Sequence, residues 1–282
     1  PLLVGVILAL IFALCIFGGS KQISKITEVL VPFMGIFYLA VALFVTVTHY
    51  TLIPKMFSDI FSNAFDIRAI FGGFTGSCVM NGIKRGLFSN EAGVGSAPNA
   101  AASAAVSHPV KQGLVQMLSV FIDTILICSA TACLLLCSGV APSEELKGMP
   151  WVQAAASESL GIFITVALCL FAFTTLIGNF YYAEMGLKYL CGKTPGKTLL
   201  NLFRIIAALI VLAGSVMEFG LVWSTADVLM GFMALINLPV ILLLGGTAIR
   251  CMKDYMRQKK EGRDPVFKAA DIGLKEKTDF WD

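Results

Sequence analysis

The stretch "RGLFSNEAGVGSAPNAA", residues Arg85 to Ala101, decides how this chain folds, because it places glycines, a proline and polar side chains where a membrane span is expected. A helix persists in lipid because its backbone groups bond to one another. Irregular backbone at that depth survives only where it lines protein or a water-filled cavity. The run from Gly82 to Pro98 is therefore predicted to unwind and to line such a cavity.

The composition around this stretch is that of an all-α integral membrane protein. Hydrophobic residues make up 57% of the 282 residues and charged residues only 14%. A net charge of +3, without a basic patch interleaved with exposed aromatics, argues against nucleic-acid binding. The eight cysteines fall mostly in apolar runs and are predicted to be small buried hydrophobes. Because the chain starts at Pro1 within an apolar run, we expect a C-terminal fragment that lacks the first helices.

Hydropathy predicts about seven membrane spans, of which the third is broken. They are Leu2 to Phe17, Val29 to Val47, the broken span within Ile70 to Val106, Leu114 to Leu136, Ile162 to Tyr182, Leu199 to Met217 and Leu221 to Ile249. Before the broken span, "TLIPKMFSDIFSNAFD" has apolar residues at helical spacing and is predicted to form an amphipathic helix on the membrane surface.

The distribution of basic residues predicts the orientation, since cytoplasmic loops carry the excess of lysine and arginine. Basic residues follow the odd-numbered spans and are richest in the tail "RCMKDYMRQKKEGR". We therefore expect a membrane domain over 1–250, a cytoplasmic tail over 251–282, and a multi-pass protein of the cell membrane.

An unwound span leaves free amides at one half-helix end and free carbonyls at the other. These suit an anionic substrate group and a small cation, as in secondary transporters. The alternatives are a re-entrant or interfacial loop, or glycines that only permit close helix packing. Glu91 in this segment either pairs with Lys84 or Arg85, or takes part in gating.

Other polar residues within the spans are also candidates. Asp123 lies about 18 Å along a helix from Lys111, near mid-membrane, where it is either functional or hydrogen-bonded to a neighbouring helix. In "FAFTTLIGNFYYAE", Thr175 and Asn179 share a helix face and Thr174 lies beside them. Their oxygens can ligate sodium or an ammonium group, although membrane threonines often bond their own backbone. His108 is expected to be a turn residue.

The motifs "GLFSNEAGVGSAPNAAASA", "HPVKQGL" and "FIDTILICSATA" resemble the signature region of the alanine or glycine:cation symporter family, the bacterial sodium:alanine symporters. "GGSKQISKITEVLVPFMGIFYL" and "FAFTTLIGNFYYAE" extend the resemblance to nearly the whole chain. It implies a leucine-transporter-like inverted-repeat fold in which the seven spans correspond to helices four to ten. The broken span would then be helix six and the fifth span helix eight.

The resemblance also implies site residues. Phe88, Ser89 and Asn90 would lie at the substrate pocket, with Thr175 and Asn179 contributing from helix eight. The sodium site would use Thr174 and Thr175, while Glu91, Asp123 and Arg85 are candidates for coupling or gating. Where family members often carry tryptophan, this chain has Asn179, so glutamine, asparagine or serine are alternatives to alanine or glycine.

The sequence thus predicts sodium-coupled symport of a small neutral amino acid by alternating access, with sodium as coupling ion and no other cofactor. An ion channel, whose pore can also use broken helices, is the competing class. A membrane-embedded enzyme would require Asp123, Glu91 and His108 to converge, and the sequence offers no nucleophile and base pair.

Overall fold

The computed structural model describes residues 2–18, 20–64, 74–91, 93–141, 143, 146, 148–156, 158–192, 195–274, 278 and 281. These residues form helices and connecting turns, and no β-strand occurs among them. The α-helices are α1 Leu2–Phe17, α2 Ser20–Thr48, α3 Ile53–Ala64, α4 Phe74–Asn90, α5 Ala97–Ala101, α6 Pro109–Phe121, α7 Ser129–Cys137, α8 Met149–Ala155, α9 Glu158–Leu190, α10 Lys197–Val216 and α11 Phe219–Lys260. A π-helical segment, Ile122–Cys128, joins α6 to α7, and 3₁₀ turns occur at Tyr50–Leu52 and Ala269–Ile272.

Five helices within the described ranges are long and apolar enough to cross a membrane. Their apolar ranges are Thr27–Thr48, Pro109–Cys137, Leu160–Leu190, Lys197–Val216 and Phe219–Lys260. The prediction of an all-α chain with several membrane-spanning helices is confirmed. Helix α1 has the predicted bounds, but at 16 residues it is shorter than a typical span. The count of seven spans therefore stays a prediction for α1 and for the broken segment.

The predicted surface helix forms as α3, preceded by the 3₁₀ turn. Its Met56 is buried, with Sδ 3.6 Å from Sγ of Cys137 on α7, while Phe57 and Phe61 are exposed. The final residues of the predicted helix, including Asp66, lie outside the described residues. An amphipathic helix with one inward methionine and outward phenylalanines is compatible with the predicted interfacial position.

The chain divides into two compact units, which are described separately. The first comprises 1–85 and 123–222. In it α1 packs on α10, and α2 packs on α7 and α9. Tyr38 on α2 is buried, with its hydroxyl 2.7 Å from Oγ1 of Thr131, and the phenyl ring of Phe171 meets it edge-on. Apolar packing, together with the hydrogen bond between the Tyr38 and Thr131 hydroxyls, thus holds these helices together.

The contact between α1 and α10 depends on a small residue. A Cβ at Gly5 would lie 2.0 Å from Oγ of Ser215 and 3.0 Å from its Cβ, so the Ser215 side chain packs directly on the α1 backbone at Gly5. Further along α1, Phe12 and Ile16 are buried with Ile177 and Phe180 of α9. Small residues that permit close backbone approach are the usual means of helix packing in lipid, where the hydrophobic effect does not draw helices together.

The second unit comprises 86–122 and 223–282. It contains the end of α4, α5, α6, most of α11 and the C-terminal tail. Helix α11 continues through residue 250, the predicted domain boundary, to Lys260. The tail then returns to the turn before α6: the Phe267 amide donates to the Ser107 carbonyl at 2.9 Å, and Lys111 pairs with Asp264 at 2.7 Å. The tail is therefore structured against the transmembrane part of its own unit.

Candidate functional site

The helix of the predicted broken span is interrupted after Asn90, and the structure describes Glu91 and residues 93–96 of the interruption. Helix α4 ends at Asn90 and α5 begins at Ala97. Between them Glu91, Gly93 and Gly95 have φ angles of 54°, 91° and 99°, all in the region that L side chains rarely adopt. The predicted break is thus present. We call residues 91–96 the link.

The prediction that unwinding begins at Gly82 is wrong, because α4 remains helical through Gly82, Gly86 and Asn90. A glycine within a helix costs only about 1 kcal/mol relative to alanine and does not by itself end the helix. The helix ends where the backbone turns left-handed, and glycine is favoured at Gly93 and Gly95 for that reason. Phe88, Ser89 and Asn90 consequently lie on the last helical turn, beside the link.

Three of the hydrogen bonds that hold the link involve Glu91 or Asn237, in addition to those that Asn99 donates to the Gly95 and Ser96 carbonyls. Within it, the Ser96 hydroxyl donates to Oε2 of Glu91 at 2.7 Å, and the Val94 amide donates to the Glu91 carbonyl at 3.2 Å. From α11, Nδ2 of Asn237 donates to the Gly93 carbonyl at 3.0 Å. Because Glu91 is the only left-handed residue other than glycine among those described, its side-chain bond offsets part of the conformational cost of that position.

A cavity of about 330 Å³ lies against the link. Its lining is largely apolar and comes from the end of α4, the link, α5, α6 and α11. The lining residues are Asn90, Glu91, Gly93, Gly95, Ala97, Pro98, Ala101, Gln116, Met117, Val120, Asn237 and Ile241. A largely apolar pocket with a few convergent polar groups is typical of a small-molecule site.

The predicted substrate residues of α4 do not all face this cavity. Asn90 lines it, whereas the Phe88 ring stacks on Trp223 with centroids 5.4 Å apart and planes 28° apart. Ser89 is exposed on the surface of the unit. Of the five residues predicted for substrate binding and coupling on α4 and the link, the structure brings Asn90 and Glu91 together on one cavity.

The predicted helix-eight residues lie on α9, in the first unit. Thr174 is buried, and its hydroxyl lies 3.0 Å from the Leu170 carbonyl and 3.1 Å from that of Phe171. Thr175 and Asn179 occupy an exposed face of the unit. A threonine that donates to its own helix keeps oxygen lone pairs for a cation, so this hydrogen bonding is compatible with the predicted sodium role.

Two coupling candidates also belong to the first unit. Asp123 falls in the π-helical segment after α6, and Arg85 lies on α4 one turn before its end. Single π-helical turns in otherwise regular helices are frequent at functional sites. Both side chains are half-buried and take part in further interactions. Their coupling or gating role stays a prediction.

A buried ionic cluster on α9 and α10 was missed in the sequence. Glu184 is 2% exposed, with Oε1 2.7 Å from Nζ of Lys188 and Oε2 3.7 Å from Nη2 of Arg204. The Arg204 guanidinium also lies 5.7 Å from the ring centroid of Phe17. The four-residue spacing of Glu184 and Lys188 in the sequence indicated that these two side chains could form an ion pair on one helix face. The contribution of Arg204 depends on tertiary packing that one sequence does not display.

His108 proves to be more than a turn residue. It is fully buried and caps α6, with Nδ1 accepting from the Val110 amide at 3.2 Å. Its Nε2 lies 3.4 Å from Oδ2 of Asp254, and the rings of Tyr255 and Phe267 meet it edge-on. Burial lowers the pKa of this imidazole, although Asp254 opposes the shift. His108 is enclosed by the tail and is absent from the lining of the cavity that contains Glu91.

Comparison with known proteins gives a consistent result. Residues 1–269 match the model of the sodium:alanine symporter family. The chain is 44% identical over its whole length to the amino-acid carrier protein AlsT of Bacillus subtilis, of which it covers 60%. It is 42% identical over 94% of its length to the probable sodium/glutamine symporter GlnT of the same organism, covering 56% of that protein. It is 40% identical over 92% of its length to the sodium/alanine symporter AgcS of Methanococcus maripaludis, covering 58%. The chain thus spans roughly three fifths of the length of these relatives.

Proposed function

Because the chain belongs to the sodium:alanine symporter family, we propose that it forms part of a multi-pass secondary transporter that moves a small neutral amino acid inward together with sodium. The family and the named relatives are transporters, not enzymes. The observation that carries the proposal is the link: a polar, left-handed segment between two helices, beside a cavity lined by Asn90 and Glu91.

The architecture proposed with it is the leucine-transporter-like inverted repeat, with the seven predicted spans as helices four to ten and the C-terminus in the cytoplasm of a cell-membrane protein. The proposed substrate residues are Phe88, Ser89 and Asn90 on α4 and Thr175 and Asn179 on α9. The proposed sodium ligands are Thr174 and Thr175. Glu91, Asp123 and Arg85 take the coupling or gating roles.

Alanine or glycine is the proposed substrate, and alanine is named in both the family description and the name of AgcS. Glutamine, asparagine or serine is the alternative that Asn179 suggests, and glutamine is named for GlnT. Sodium biases transport because it binds the substrate-competent state more tightly than the other states, as linkage requires.

Uptake by the full-length protein tests the proposal. Labelled alanine should accumulate only with sodium, saturate, and exchange with unlabelled substrate on the other side of the membrane. Competition by unlabelled glycine, glutamine, asparagine and serine then ranks the substrates. Flux that neither saturates nor shows countertransport would favour an ion channel and contradict the proposal.

The site assignment has its own variants. Asn90→Leu and Thr175→Leu should each reduce sodium-dependent uptake by at least about tenfold, because each replaces a polar ligand-facing group with a bulky apolar one. Matched controls are Asn201→Leu at an exposed position of α10 and Thr48→Leu at the end of α2. Wild-type uptake in either test variant at equal surface expression would remove that residue from the site.

A further inference from the structure

Asn237 is a polar side chain in an apolar part of α11. It lies 12 residues before Ile249, the end of the predicted span, which places it about 18 Å along the helix and near the centre of a hydrocarbon core about 30 Å thick. Its neighbours Leu235 and Ile236 are 70% and 71% exposed, as expected of lipid-facing residues. A side-chain amide at this depth requires a hydrogen-bonding partner, since lipid offers none.

Asn237 contacts two of the three left-handed residues of the link. Its Nδ2 donates to the Gly93 carbonyl at 3.0 Å. A Cβ at Gly95 would lie 2.8 Å from Cγ of Asn237 and 3.1 Å from its Oδ1, so the amide group packs directly on the Gly95 backbone. The Asn237 side chain therefore donates a hydrogen bond to the link at Gly93 and restricts the position of its backbone at Gly95.

We propose that Asn237 is a positioning residue for transport: it holds the link in its left-handed conformation and thereby places Asn90 and Glu91 along the cavity. This inference rests on the proposed function of the link. A carbonyl turned out of a helix within the membrane needs a donor, and Asn237 supplies it for Gly93. Asn237 also lines the cavity. This one side chain of α11 therefore contacts the link and forms part of the cavity wall.

The expected effect is on substrate affinity. If the link samples other conformations, the apparent dissociation constant rises in inverse proportion to the fraction of protein that remains binding-competent. Asn237→Ala should therefore raise the KM for uptake by about tenfold, which corresponds to about 1.4 kcal/mol. The maximal rate and the surface expression should stay within about twofold of wild type, because the loss of link positioning lowers the binding-competent fraction and saturating substrate restores it.

A double-mutant cycle distinguishes positioning from a general packing role. Gly95→Ala should raise KM strongly when Asn237 is present, and by a smaller factor in Asn237→Ala, because the added methyl group no longer meets the amide. Gly86→Ala is the matched control, because it lies in helical backbone and no atom of the described residues is within 4 Å of the added Cβ. Its effect on KM should therefore be the same in wild type and in Asn237→Ala. Asn201→Ala on α10 controls for loss of an amide elsewhere.

The outcomes separate this inference from the proposed function. Suppose that wild type shows sodium-dependent uptake, but that the KM increases of Gly95→Ala and Asn237→Ala simply multiply in the double variant. This result overturns the positioning role and leaves the proposed function in place. Unchanged KM in Asn237→Ala does the same. Wild type without sodium-dependent amino-acid uptake overturns both. If Asn237→Ala does not reach the membrane, the cycle is run with Asn237→Ser, which keeps a shorter donor and should give a smaller increase in KM.

Discussion

At the scale of single residues, buried charges are placed where partners surround them. Glu184 in the first unit is held by Lys188 and Arg204, and Asp254 in the second by His108, Arg257 and Gln258. In both groups a carboxylate that is almost inaccessible has more than one cationic or polar neighbour, although Arg204 approaches Glu184 only to ion-pair distance and donates no hydrogen bond to its Oε2. Removing one partner from such a group leaves a charge buried without compensation.

Glu184→Gln should therefore lower the stability of the protein by about 3 kcal/mol, because Arg204 loses its counter-ion at a site where it is 13% exposed. Thermal unfolding in detergent measures the effect, with Glu218→Gln at an exposed position as control. Adding Arg204→Met should recover part of the loss, since it removes the unpaired cation. Equal melting temperatures for wild type and Glu184→Gln would contradict the prediction.

The burial of the His108 imidazole against the tail predicts that tail docking depends on pH. Its pKa is lowered by burial, so the docked state binds fewer protons than the undocked state. Docking is therefore fully favourable above the ordinary histidine pKa of about 6.5 and weakens as the pH falls below it, by up to about 1.4 kcal/mol per pH unit. The charged groups around His108 are Asp254, which favours the proton, and Lys111, which opposes it; Arg257 pairs with Asp254.

Limited proteolysis of the tail between pH 8 and pH 5.5 should thus show increasing cleavage as the pH falls. His108→Asn keeps a capping side chain but cannot titrate, so its cleavage should not change across this range. His49→Asn, at the exposed end of α2, should retain the wild-type pH dependence. Lys111 lowers the pKa of Asp264, so the contribution of that pair is lost only in stronger acid and does not confound the assay. The same pH profile in His108→Asn would refute the assignment.

At the scale of elements, two kinds of glycine serve different purposes. Gly93 and Gly95 permit a backbone conformation, whereas Gly5 permits the approach of α1 to α10. Gly82 and Gly86 do neither, since they are helical and no atom of the described residues lies within 4 Å of a Cβ added there. The surroundings and the φ angle, rather than the residue type, therefore decide which substitution is costly.

Gly5→Val should destabilise the protein by about 2 kcal/mol, because the new side chain must displace Ser215 from the interface between α1 and α10. Gly35→Val on α2 is the matched control, as no atom lies within 4 Å of an added Cβ there. Thermal unfolding of both variants gives the comparison. If Gly35→Val costs as much as Gly5→Val, the effect belongs to β-branching in a helix and not to this contact.

At the scale of the whole molecule, the apolar helices could be predicted from the sequence because lipid imposes a length and a composition on them. Helix α1 has the predicted bounds, and α10 differs from its prediction by two residues at the start and one at the end. Helices α9 and α11 extend well beyond their apolar runs, since a helix need not end where the hydrocarbon ends. Hydropathy identifies the buried length of a helix and not its solvated extension.

The candidate site was predictable only in part. The glycines and proline around Glu91 indicated a break, but the start at Gly82 was wrong because glycine density does not locate left-handed backbone. Asn237 could not be assigned to the link from one sequence, since it lies 144 residues from Gly93. Likewise, nothing near His108 in the sequence indicated that Asp254 and the tail would enclose it.

The docked tail also constrains how this sequence can change through evolution. The turn before α6 and the segment around Pro265 lie some 158 residues apart, yet the Ser107 hydroxyl donates to the Pro265 carbonyl and Lys111 faces Asp264. Substitutions at the two positions of that ion pair should accordingly be correlated among homologues, with a reversal of charge at one accompanied by a reversal at the other. Insertions that lengthen the connection between Lys260 and Pro265 should be selected against, because they would disturb the register in which the tail meets the turn.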